Sequence, residues 1–219
     1  MRLIFFVLML CLPNFARAEE GWTLGAVAIY ESSPRDSLTL VPLVRYDQGP
    51  WIFGGRALVT YSFGEERGMS GAAGLGFDFG QDDDGAPEVD LAPTAFASLA
   101  YRARFFEVSS SLVQRLAERQ GRQLTLDLAS GYPLSDQTFL AASLGVTYGD
   151  SDWREQFYSL GTAGQISTDL SILSITSLTS QTTVLLGVEI SDLASDITSQ
   201  SFVNTGQALS LTLGVSYQL

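Results

Sequence analysis

The sequence predicts an all-β protein, a transmembrane antiparallel up-and-down β-barrel of twelve strands. Three observations carry this. The chain opens with an export signal; side chains alternate apolar and polar along segments of about ten residues; and aromatic residues stand at the ends of those segments. The closing stretch "ALSLTLGVSYQL" shows the pattern most cleanly: Leu209, Leu211, Leu213, Val215, Tyr217 and Leu219 fall on one parity, and Ser210, Thr212, Gly214, Ser216 and Gln218 on the other.

The first residues, "MRLIFFVLMLCLPNFARAEE", read as a secretory signal peptide over 1–18, cut after Ala18, ahead of a single barrel domain over 19–219. The apolar run Leu3–Leu12 is too short to cross a bilayer as a helix. The only cysteine, Cys11, lies in that run behind Leu10, where a lipoprotein signal would place a small residue, so it reads as apolar filler. The mature chain then has no disulfide, no thiol nucleophile and no thiolate metal site. Every basic residue is arginine, and losing Arg2 and Arg17 with the leader takes the formal charge from −12 to −14. An acidic chain without lysine is poorly suited to nucleic acid, where affinity comes from neutralising phosphates.

Histidine is absent, which removes the usual general base and the commonest metal ligand. Without lysine there is no Ser–Lys arrangement either. Paired carboxylates could still cleave a glycosidic bond, but the strand pattern brings no such pair together. The expectation is a protein that is not an enzyme and has no cofactor and no catalytic or metal-binding residue.

The alternation recurs along the chain. It sets Leu124, Leu126, Leu128 and Tyr132 against Thr125, Asp127, Ala129 and Gly131. It sets Leu140, Ala142, Leu144, Val146 and Tyr148 against Ala141, Ser143, Gly145 and Thr147, and Val184, Leu186, Val188 and Ile190 against Gly187 and Glu189. A soluble sandwich, the alternative fold, would cover its outer faces with charged and long polar residues. Here the polar parity is mostly Gly, Ser, Ala and Thr, which suits a crowded lumen. Its sparse charges, Arg45, Asp78, Arg102, Glu107, Arg115, Asp127 and Glu189, are the lumen-facing candidates. They would either line a conducting pore or form a ladder of ion pairs filling the lumen. Tyr46, Tyr101, Tyr132, Tyr148 and Tyr217 at strand ends fit an interfacial girdle. In "LSILSITSLTS" the parity switches near Ile172–Leu173, which reads as a bulge or a misplaced boundary.

Long polar breaks, "GQDDDGAPEV", "GDSDWREQFYSLGTAGQIST" and "SDLASDITSQSFVNTGQ", belong on the outer side, and short ones near "DQGP", "RAR", "PLSDQ" and "TSQT" on the periplasmic side. Twelve strands result if "PWIFGGRALVTYSF" folds back at Gly54-Gly55; ten is the alternative count. The last strand should pair with the first, "GWTLGAVAIY", to remove both edges. The run Asp82–Gly85 reads as a solvated loop, since it lacks the spaced ligands of a calcium loop. The glycines of "GAAGLGFDFG" read as lumen-facing positions and not as a phosphate cradle, because the alternation continues through them. Trp153, Phe157, Tyr158 and Phe202 are the outer-loop residues available for an interaction.

The stretch "VPLVRYDQGPWIFGGRALVTYSFGEERGMSGAAGLGFDFGQDDDG" resembles the MipA/OmpV family of outer-membrane proteins: a proline-bearing strand, a tyrosine, a short turn, an aromatic pair, a glycine cluster and an acidic loop. "DSDWREQFYSLGT" is similar to the family's segment with an aromatic pair, here Phe157-Tyr158, and Ser159 stands where the family has glycine. "LTLGVSYQL" matches the family's last strand. The resemblance implies an outer-membrane barrel acting as a scaffold for periplasmic murein hydrolases or synthases, or in some members an adhesion, osmotic-response or antigenic role. The expected partners are outer-membrane lipid, such an enzyme, and the assembly machinery during biogenesis. A small-solute diffusion channel and a surface adhesin stand as the alternative functions.

Overall fold

The computed structural model describes residues 20–32, 37–54, 57–64, 67–78, 87–117, 120–203 and 205–219. Residues 1–18, expected to be a signal peptide, Gly55 of the expected fold-back and the acidic run Asp82–Gly85 lie outside them. Twelve antiparallel strands close into one barrel in chain order. They are β1 (Gly21–Glu31), β2 (Ser37–Gln48), β3 (Trp51–Gly54), β4 (Ala57–Gly64), β5 (Gly68–Asp78) and β6 (Ala92–Arg102). There follow β7 (Glu107–Arg115), β8 (Arg122–Pro133), β9 (Thr138–Gly149), β10 (Gly164–Ser177), β11 (Thr182–Leu193) and β12 (Gln207–Gln218). The first and last strands meet in register from Thr23↔Gln218 to Glu31↔Ser210. Closure leaves no edge at that seam, a requirement where no water is present to bond bare amides.

The period-two pattern sets which residues face out. Leu209, Leu211, Leu213 and Val215 are exposed, whereas Ala208, Ser210, Thr212 and Gly214 between them are buried. The apolar parity therefore faces away from the barrel axis and the small polar parity fills the interior, the reverse of a water-soluble body. At about 3.3 Å per residue and a tilt near 40°, strands of eleven or twelve residues reach roughly 28–30 Å, enough for an outward apolar band of about 25 Å. Outward aromatic rings crowd the end that carries both termini, where Trp22 and Tyr46 stand 4.9 Å apart and Trp51 and Tyr61 also 4.9 Å.

Two sequence readings change in detail. There is no bulge at Ile172–Leu173: β10 keeps one register with β9 and β11 through those residues, and its register shift lies between Gln165 and Ser167. Leu173 is an apolar residue on the inward parity, 4% exposed, and its Cδ1 fills the space above Gly187. The stretch 51–64 does fold back, but β3 keeps only four residues, paired with β2 from Arg45↔Gly54 to Gln48↔Trp51. Gly54 takes φ +86°, a left-handed conformation that disfavours a side chain.

The long connections fold onto the other end. Two helices form there, α1 (Ser151–Tyr158) and α2 (Ser195–Thr198), in stretches that read from sequence as plain loops. Asp150 caps α1 by accepting a hydrogen bond from the Trp153 amide at 2.8 Å. The helix stops at Ser159, which takes φ +54° and donates its amide to the Glu155 carbonyl, while Leu160 donates to that of Arg154. A left-handed residue after a helix is ordinarily glycine, and here it is serine.

Candidate functional site: a helix packed at the barrel mouth above a charged lumen

The helix α1 turns one face into the barrel. Trp153, Arg154 and Phe157 are buried on that face, with Trp153 and Phe157 one turn apart and their rings stacked at 4.8 Å. Around them Val89, Ile166, Leu193 and Ile197 complete an apolar cluster between the long connections and the strand tops. Gly121 and Gly149 leave room for it, because a Cβ on either would collide with Trp153 or Arg154.

Arg154 is 1% exposed and carries its charge inside this cluster. A buried guanidinium is tolerable only when its donors are met. Its Nη1 donates to the Thr162 carbonyl at 2.8 Å, and its Nη2 bonds the Asp196 carboxylate of α2. That bond holds the Asp196 carboxyl below the ordinary range. Burial pushes the Tyr158 hydroxyl up, and the nearby Asp169 carboxylate adds to this.

Below α1 the inward charges form separate groups. Arg115 of β7 is 3% exposed and meets a loop, a helix and a second strand. It donates to the Asp90 carbonyl at 2.7 Å and to Gln156 of α1 at 3.1 Å, lies 3.5 Å from Asp78 of β5, and stands 5.5 Å from the Phe157 ring. Arg102 and Glu107 face each other across β6 and β7, with Nε donating to Oε2 at 2.7 Å. Arg45 bonds Asp47, two residues along the same strand face, at 2.7–3.0 Å.

Asp127 and Asp169 flank Gly145, being the cross-strand neighbours of that residue on β8 and β10. An added Cβ at Gly145 would stand 2.6 Å from Asp127 Oδ1, so glycine makes the space that carboxylate occupies. Ser167 donates to Asp169 at 3.0 Å. Glu189 is buried one inward position lower, opposite Ser171 and Ser210. The arrangement thus joins Arg102 with Glu107 and Arg115 with Asp78, sets Arg45 on Asp47, and leaves Asp127 and Glu189 in an acidic stretch of wall with Asp169.

Asp47, Arg154, Asp169 and Asp196 escaped the sequence reading. Asp47 and Asp169 had a signal, each sitting on the polar parity of its strand. Arg154 and Asp196 had none, since their meeting depends on how two loops fold. Of the four outer-loop residues, Trp153 and Phe157 are buried in the mouth, and Tyr158 and Phe202 are half-buried.

A closed barrel with lipid-facing alternate residues, a polar filled interior and long connections on one end defines an outer-membrane β-barrel protein. The chain belongs to a particular family of these, matching the family described as MltA-interacting protein MipA over residues 21–219. No curated protein matches it. Among solved structures it is similar to the NanC porin, at 11% identity with a TM-score of 0.60, covering 90% of this chain and 100% of that one. It is also similar to the COG4313 outer membrane channel from Pseudomonas putida F1, at 13% identity with a TM-score of 0.51, covering 92% and 96%. At those identities the likeness shows the fold.

Proposed function

We infer that this protein is a non-enzymatic structural barrel of the outer membrane. It docks a murein-processing enzyme at its periplasmic rim and does not serve as a route for solutes. The observation that carries this is at the mouth: α1 packs Trp153, Arg154 and Phe157 against the strand tops and is tied to α2 through Asp196 and to β7 through Arg115. A helix held by a buried arginine and an apolar cluster is part of the folded body and not a loose loop. The partner's chemistry comes from the family, described by its interaction with MltA. Short turns at the terminus-bearing end, such as Leu134–Gln137 and Leu178–Gln181, are tight, with Ser135 and Thr179 hydroxyls accepting from the amides that follow, and they offer a rigid rim for contact. In this reading the leader is cut after Ala18, and Arg45 with Asp47, Arg102 with Glu107 and Arg115 with Asp78 fill the lumen as ion pairs.

The test has two arms on the mature chain. A pull-down against purified periplasmic murein hydrolases and synthases should retain one of them, and retention should fall when the Leu134–Gln137 and Leu178–Gln181 turns are replaced by Gly-Ser. Planar-bilayer recording should show no steps above background. Regular conductance steps together with no captured enzyme would turn the assignment to a small-solute channel. Binding of whole cells through the outer connections alone would turn it to an adhesin.

A further inference from the structure

The inward charges of the barrel are matched unevenly around its circumference. Arg45, Arg102 and Arg115 each pair with an acid, respectively Asp47, Glu107 and Asp78, and Arg154 of the mouth is held by Asp196. Among the described residues no arginine bonds Asp127 or Asp169. These two carboxylates stand instead among small hydroxyl side chains.

Asp127 and Asp169 are two strands apart, roughly 10 Å at the backbone, with Gly145 between them. Asp127 leans into that gap, its Oδ1 2.6 Å from where a Gly145 Cβ would stand. Asp127 Oδ2 and Asp169 Oδ1 are buried oxygens without a hydrogen-bond partner among the described residues, while both residues as a whole are only half-buried. Hydroxyl pairs bound the gap along the strands, Thr125 with Thr147 at 3.3 Å on one side and Ser143 with Ser171 at 2.6 Å on the other. The next inward acid is Glu189 of β11, diagonal to Asp169 and so roughly 7–8 Å from it. Directly opposite Glu189 stands Ser210 of β12, 8% exposed, whose Oγ is also without a hydrogen-bond partner among the described residues. A buried hydroxyl in that state costs stability, and this one adjoins the row of acids.

We propose that the inner wall from β8 to β12 is a binding site for a linear polyamine. One ammonium sits over Gly145 between Asp127 and Asp169, and the next sits between Glu189 and Ser210. An ammonium donates hydrogen bonds and accepts none, which matches carboxylate and hydroxyl oxygens. Two like charges set about one gap repel each other, and a cation placed between them attracts both. Acids spaced along a diagonal suit charges spaced along a flexible chain. A metal ion is a single point that draws several oxygens to within about 2.6 Å, and no three acids among the described residues are grouped to do this. Binding here needs no path through the barrel and does not depend on the murein partner.

The experiment is equilibrium dialysis of radiolabelled spermidine against the chain from residue 19, folded in detergent micelles. Binding should saturate at a single spermidine per barrel, and butylamine, with its lone ammonium, should displace it about tenfold less well than unlabelled spermidine. Asp127→Asn and Asp169→Asn should each weaken binding about tenfold, with the faster band on unboiled SDS gels retained. Gly145→Ala keeps every charge and sets a methyl in the gap, where only the tip of Asp127 has to move. It should weaken binding severalfold, and it decides the matter should the asparagine variants fail to fold. Asp152→Asn, on the exposed side of α1, should change nothing. Absence of saturable binding would overturn the site, as would undiminished binding in folded Asp127→Asn, Asp169→Asn or Gly145→Ala. Displacement by magnesium as effective as by spermidine would also overturn it, marking a general attraction of cations to an acidic chain.

Discussion

At the scale of single residues, the mouth is organised by two side chains of opposite character. Trp153 supplies buried area and Arg154 supplies directed bonds, and each depends on the other's placement. Trp153→Ala should cost about 3–5 kcal/mol of local stability, the usual penalty for removing a buried indole. Because that loss falls on one connection, it should appear as local opening of the mouth. Trypsin reports it directly, since Arg154 is a cleavage point hidden in the folded mouth. Cleavage after Arg154 should be about a hundredfold faster in the variant, with the barrel intact. The Arg154–Asp196 bond adds a pH dependence. Asp196 has a depressed folded pKa, so its contribution is present above the ordinary carboxylate value near 3.9 and is lost as pH falls through the folded value. Hydrogen exchange of the α1 amides should therefore be flat from pH 7 to about pH 4, after correction for intrinsic rates, and rise below that. Asp196→Asn should abolish this step. The ion pair itself should be worth no more than about 1 kcal/mol, because the Asp196 side chain is 50% exposed.

At the scale of elements, the strands were legible and the helices were not, for physical reasons. A strand bathed by lipid on one side and packed on the other must alternate, so β8, β9, β11 and β12 can be read residue by residue. Leu173 shows where that reading ends: a lumen filled with side chains accepts a leucine wherever a facing glycine leaves room, and Gly187 does. The Trp153–Phe157 spacing and the Asp150 cap belong to a helix, but eight residues inside a polar break carry too weak a signal to stand against the loop pattern. The charged site was legible in part for the same reason. Parity places Arg102, Glu107 and Asp127, while the partners of Arg115 and Arg154 arrive from loops. The seam between β1 and β12 makes an element-scale prediction. A Cβ on Gly25 would stand 2.3 Å from the Val215 carbonyl oxygen of the facing strand. Gly25→Val should therefore force the seam apart and reduce the fraction of protein that runs faster on SDS gels without boiling. Ala26→Val, which adds the bulk on the exposed parity, should leave that fraction unchanged.

At the scale of the whole molecule, the barrel combines short turns at one end, a helix packed on the strand tops at the other, and one closed ring of twelve strands. All of this rests on alternate residues facing lipid around a closed ring. The most direct measurement places single cysteines at 209–215, one at a time, in a chain that begins at residue 19. The only native cysteine is Cys11, so each nitroxide attached there would report from a single place. In lipid vesicles, collision with oxygen should be high at Leu209, Leu211, Leu213 and Val215 and low at Ser210, Thr212 and Gly214. A uniform profile across 209–215, or one with the leucines protected and the polar positions accessible, would contradict the barrel.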